Sequence, residues 1–147
     1  VVWFVSLRGY NVYSWWVAPT DDESLARLTM ITHGDDKVIE QITKQVNKLI
    51  DVLKVVDLTE NAHIERELML IKVATRTESI RAEVKRNADI FRARILDVTA
   101  NNYTIEITGT SDKLDAFAMT MAQSAEIIES SRTGVCGLAR GERALRP

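Results

Sequence analysis

With 147 residues the chain has room for one ordinary domain or two small ones, and length alone does not choose. Its formal net charge of −2 gives no electrostatic basis for a nucleic-acid or anionic-membrane partner. No apolar run approaches the roughly 20 residues that span a bilayer, and the lone Cys136 rules out an internal disulfide and fits a reducing compartment.

Residues 1–7 are apolar up to Arg8-Gly9, which predicts the last turns of a helix capped by Gly9. The chain starts without Met inside that segment, so the first domain is expected to be N-terminally incomplete. Residues 12–17 are β-branched and aromatic, as a strand should be, and Pro19 with Asp21-Asp22-Glu23 makes the following turn. Trp15 and Trp16 are adjacent, so on a strand they point to opposite faces. A second strand is predicted over 25–32, and Gly34-Asp35-Asp36 turns into a helix with Asp35 or Asp36 as N-cap. Val38, Ile39, Ile42, Val46, Leu49 and Ile50 then form one helical face over 37–50, opposite Glu40, Gln41, Lys44 and Lys48. Residues 52–56 read as a short strand, and the polar break at 58–64 as an interdomain linker.

The second half opens with a dense apolar strand, 68–73, followed by a helix over 78–92. Two strands, 95–99 and 103–108, meet across Ala100-Asn101-Asn102, and a helix over 113–124 and a strand over 126–129 close the pattern. The halves correspond: Ile31-Thr32 with Asp36-Lys37-Val38 returns as Ile107-Thr108 with Asp112-Lys113-Leu114, 76 residues later. The expected fold is therefore α+β, two ferredoxin-like βαββαβ domains over 1–58 and 65–147, the first without its opening strand.

Chemistry is sparse. His33 and His63 lack partners at metal-ligand spacing, the acidic turn reads as solvated, and no G-x-S-x-G, H-E-x-x-H or P-loop occurs, so neither catalytic nor metal residues are expected. An RNA-binding sheet would need aromatics on its central strands, and Tyr103 is the only one in a second-half strand. The glycine-spaced, arginine-bearing stretch from Arg132-Thr133-Gly134 to Arg146 reads either as a frayed terminus or as a segment that orders on a partner protein. The basic residues Arg76, Arg81, Lys85, Arg86 and Arg92 read as a solvated helix face.

Several motifs together carry a family likeness. Arg8-Gly9-Tyr10-Asn11, Val17-Ala18-Pro19-Thr20-Asp21-Asp22, Gly34-Asp35-Asp36-Lys37-Val38 and Gln41-Ile42 belong to the first half. Arg66-Glu67-Leu68-Met69-Leu70-Ile71-Lys72-Val73, Gly109-Thr110-Ser111-Asp112-Lys113-Leu114-Asp115, Arg132-Thr133-Gly134 and Gly137-Leu138-Ala139-Arg140-Gly141 belong to the second. The chain resembles the small regulatory subunit of acetolactate synthase (acetohydroxyacid synthase) over essentially its whole length. That resemblance implies an N-terminal ACT domain, no catalysis by the chain alone, activation of a catalytic subunit, and valine feedback in branched-chain amino acid biosynthesis. It implies a cytoplasmic protein, a homodimer through the ACT domains, and thiamine diphosphate, magnesium and FAD only in the catalytic partner. Asn11, Ala18 and Gln41 are its implied effector-binding residues; Trp3, Trp15 and Trp16 are bulky departures from the family pattern. The rival expectation is a stand-alone ACT-type amino-acid sensor.

Overall fold

The computed structural model describes residues 12–34, 36–48 and 52–145, with the side chains of 12–16 left aside. The expected helix end at 1–7, Gly9, Asn11, Trp3, Asp35 and the faces of Trp15 and Trp16 lie outside the described residues. The chain divides into two compact units, Val1–Glu65 with Val135–Pro147, and Arg66–Gly134.

In the first unit β1 (Val12–Pro19) and β2 (Ala26–Thr32) form an antiparallel hairpin, with a register shift between Val12 and Ser14. The intervening turn is closed by local hydrogen bonds. Thr20 N–H donates to Leu25 O at 3.1 Å, and Asp22 Oδ1 accepts from Ser24 N–H and Oγ–H at 2.9 and 2.6 Å. Helix α1 (Asp36–Asn47) follows, with the charge of Asp36 in its favourable first turn. Of the predicted stripe, Ile42 and Val46 are buried one turn apart and Leu49 and Ile50 lie outside the described residues, whereas Glu40 and Lys44 pair at 2.5 Å on the exposed side. Gly34 sits where an added Cβ would come within 2.6 Å of Val38 Cγ1, so the strand-to-helix junction is built around the missing side chain.

Residues 52–57 are irregular, which corrects the expected strand at 52–56. Leu53 and Val56 are exposed, and the apolar run finds no ladder partner among the described residues. The break at 58–64 is shorter than expected: Leu58–Glu60 is a 3-10 turn capped by Asp57, and β3 already begins at His63.

Within Arg66–Gly134 the elements are the remainder of β3 (His63–Ala74), α2 (Glu78–Ile90), β4 (Arg94–Val98), β5 (Asn102–Gly109), α3 (Ser111–Ser124) and β6 (Ile127–Arg132). Strand order β4-β5-β3-β6, antiparallel throughout, is the ferredoxin-like arrangement read from the sequence. The period of two explains the core. Met69, Ile71 and Val73 alternate inward on β3 and stand opposite Ile107, Ile105 and Tyr103 of β5. Val84 and Ala88 of α2 and Leu114, Phe117 and Met121 of α3 cover that face, with Phe91 edge-on to Phe117 at 5.3 Å between ring centroids. Both helices start on threonine caps: Thr77 accepts from Ile80 N–H and Thr110 from Lys113 N–H. Helix α2 ends with Arg92 at φ 57°, where Ala93 N–H reaches Ala88 O at 2.8 Å and Arg92 N–H reaches Asp89 O at 3.1 Å. That is a Schellman end with arginine in the left-handed position.

Strand β6 runs to Arg132, beyond the expected 126–129, and is followed by β7 (Cys136–Ala139), which pairs with β3. The reading of this stretch as a frayed terminus is thus corrected for Arg132 to Ala139: the backbone is held in ladders, and Val135 and Gly137 are buried. The second compact unit ends at Gly134, and Val135–Pro147 group with the first.

Candidate functional site

Two of the three expected effector residues are described. Ala18 is half-buried near the end of β1, opposite Arg27 of β2; Gln41 is exposed on α1. Arg27 was not singled out in the sequence. Its guanidinium donates to the Gly137 carbonyl of β7 at 2.7 Å, across 110 residues of chain, in a part-buried position. The strand facing Ala18 is thereby tied to the C-terminal strand. Arg140 N–H donates to Ala62 O at 3.1 Å, a second tie at the other end of β7. No local pattern announces Arg27, since only the fold brings it to Gly137.

The best-built polar cluster lies in the second unit and joins three of the sequence motifs. Glu67, buried at the start of this unit, accepts from Arg132 Nε at 3.0 Å and Nη2 at 2.8 Å, a two-pronged pair. It also accepts from Ser111 Oγ at 3.1 Å and from Gly134 N–H at 3.3 Å. Arg132 Nη1 reaches Asp115 at 2.5 Å, and Thr133 bonds Leu68 through both its backbone N–H and its hydroxyl. Burial by itself raises the Glu67 pKa and is the largest single influence. The Arg132 hydrogen bonds and charge, with Ser111 and Gly134, outweigh it and hold the carboxyl below its ordinary value. Arg132 is held charged more firmly, first by its bonds to Glu67 and then by Asp115. Each Glu67 oxygen accepts from two donors within its own unit, so the cluster clamps β3, α3 and β6 together.

Other candidates resolve locally. His63 Nδ1 donates to Asn61 O at 3.1 Å and its Nε2 lies 3.4 Å from Glu65; the Asn61 carbonyl, partly opposed by burial, raises the imidazole pKa above 6.5. Lys85 pairs with Asp89 and Arg86 with Glu83 on α2, while Arg81 donates to Thr75 O and Ala100 O. Cys136 is exposed. Among the described residues no cluster of histidine, cysteine and carboxylate groups is arranged to hold a metal, and no helix is long and apolar enough to cross a membrane.

The family profile described as the small subunit of acetolactate synthase matches residues 66–141, and the AHAS small subunit-like ACT domain matches residues 1–54. The chain belongs to the acetolactate synthase small-subunit family. It is 52% identical over 146 residues to the acetolactate synthase isozyme 3 small subunit of Salmonella typhimurium, covering 99% of this chain and 89% of that one. The same-named protein of Escherichia coli is 51% identical with the same coverage. The acetolactate synthase small subunit of Thermotoga maritima, a crystal structure, superposes with a TM-score of 0.83 at 38% identity, over 97% of this chain and 88% of that one. The small subunit is the regulatory, non-catalytic member of acetolactate synthase, in branched-chain amino acid synthesis.

Proposed function

We propose that this small subunit raises the activity of the acetolactate synthase catalytic subunit and carries its valine feedback site. The observation that supports this is the ACT-domain match over residues 1–54, a segment that contains Asn11, Ala18 and Gln41. In this reading two chains pair through their ACT domains in the cytoplasm, and one valine lies at their interface. The Asn11 amide can donate to the valine carboxylate and accept from its ammonium. Ala18 leaves room for the branched side chain, and Gln41 adds a further polar group. Thiamine diphosphate, magnesium and FAD stay with the catalytic partner. Valine shifts the complex between states of different activity by no more than its differential affinity for them.

The test is reconstitution with the catalytic subunit. The chain is expected to raise acetolactate formation, and valine to lower it. Ala18→Leu should weaken the valine response about tenfold, the cost of placing a larger side chain where about 1.4 kcal/mol of contact is lost, while activation persists. An activity and a valine response that are both unchanged on mixing would sink the proposal. Valine binding by the chain with no complex on a sizing column would favour the stand-alone sensor, a reading that family membership does not favour.

A further inference from the structure

We propose that Arg140, Arg143 and Asn61 form an oxyanion-binding site, taking a carboxylate or phosphate group, at the C-terminal end of β7. These residues and Ala62 line an open cleft of about 200 Å³, all within the first compact unit. That volume suits a small anion or a single acidic side chain, and is too small for a nucleotide held whole.

A backbone bond holds Arg140 at the cleft, and a turn carries the chain on to Arg143. The Arg140 N–H bond to Ala62 O sets the base of the first side chain against the wall of the cleft. Gly141 then adopts φ +74°, a conformation that L side chains rarely take, with open space where a Cβ would stand. Glycine is there for the turn, and the turn brings Arg143 back to the same cleft as Arg140. Asn61, which also lines the cleft, ends the 3-10 turn in an extended conformation, with its N–H bonded to Leu58 O and its carbonyl to the His63 ring.

Charge is the second part of the case. The chain as a whole is slightly acidic, and Lys44, Lys72, Arg76, Lys85, Arg86 and Arg132 sit in ion pairs. Among the described residues Arg140 and Arg143 enter none, and Glu142 between them forms no pair with either. Two guanidinium forks on one cleft offer planar, paired donors that match the oxygens of a carboxylate or phosphate, and the Asn61 amide can add another N–H.

The experiment is titration of the isotope-labelled chain with inorganic phosphate and with acetate, following the arginine Nε–Hε resonances, with chloride as the ionic-strength control. Saturable shifts of the Arg140 and Arg143 signals are expected from phosphate or acetate and not from chloride. Arg140→Gln and Arg143→Gln should each weaken that binding about tenfold or more. Arg143→Lys should weaken it too, since it keeps the charge and loses the fork. Unchanged backbone resonances elsewhere would exclude misfolding of the variants. The source of the group is read by repeating assembly with the catalytic subunit in phosphate. Weakened assembly assigns the site to an acidic side chain of that partner, and unaltered assembly assigns it to a free anion. Shifts that never saturate, or that chloride reproduces, would overturn the proposal and leave a solvated basic edge.

Discussion

At the residue scale, the two least ordinary positions are Arg92 and Glu67. Arg92 holds φ 57° at a helix end where glycine is the usual occupant. A side chain in that region costs roughly 1–2 kcal/mol, partly offset by the greater unfolded-state freedom of glycine. Arg92→Gly should therefore stabilise the chain by about 1 kcal/mol, read as a higher urea midpoint at unchanged slope. Glu67 is the opposite case, a carboxylate whose stability depends on its donors. Removing the arginine with Arg132→Met leaves a buried charge with weaker partners and should cost about 2–3 kcal/mol, less than a fully buried pair because Arg132 is a third exposed. The pH dependence has a defined sign. Because the folded carboxyl lies below its ordinary 4.5, its contribution is complete above that value. It is lost as pH falls through the folded pKa, where the unfolded chain takes up the proton first. Urea midpoints measured from pH 6 to pH 3 should fall more steeply for the wild type than for Glu67→Gln; parallel curves would remove Glu67 from the account.

At the element scale, β7 is the segment whose role changes most between sequence and structure. It is four residues long, yet it is fastened by the Arg27 bond to Gly137 O, by Arg140 N–H to Ala62 O and by the burial of Val135. A charged donor on a part-buried carbonyl contributes about 1.5–3 kcal/mol. Arg27→Met should cost about that much and should speed amide exchange in β7 more than in β5. Equal exchange in both strands would mean that the tie is idle. The same bond reaches the strand opposite Ala18, so this variant also reports whether the expected effector residue and the C-terminal strand share a stability unit.

At the scale of the whole molecule, the two units differ in how completely they bury themselves. In the second unit Ile71, Val73, Ile105, Leu114 and Phe117 are fully buried, whereas every described residue of β2 is half-buried or exposed. A two-stranded hairpin is marginal unless something packs on it. Hydrogen exchange should accordingly find the slowest amides in β3 and β5 and faster ones in β2, with an effector expected to slow β2 selectively. Uniform protection across both units would argue against this difference.

How much was legible in the sequence follows from the range of the interactions involved. The second unit was read closely because its signals are local: the dense apolar run at 68–73, the helices over 78–92 and 113–124, and the Ala100-Asn101-Asn102 turn. The strand at 52–56 was misread because an apolar run specifies a strand only when a partner edge exists, and that is not a property of the run. The family was legible in motifs spread along the chain; among the described residues, those at Gly34, at Glu67 and from Arg132 to Gly134 hold a junction or a packed strand that the fold needs. Of the candidate effector residues, Ala18 and Gln41 could be located on their elements, but neither spacing nor composition predicts Arg27 facing Ala18. The sequence by itself determined the element types from Arg66 to Gly134 and the regulatory family. Only the tertiary structure decided that Glu67, Ser111, Asp115 and Arg132 form one clamp, and that the C-terminal arginines return to Asn61. Those contacts join residues tens of positions apart, whose meeting is set by sheet register and core packing and leaves no mark in any local pattern.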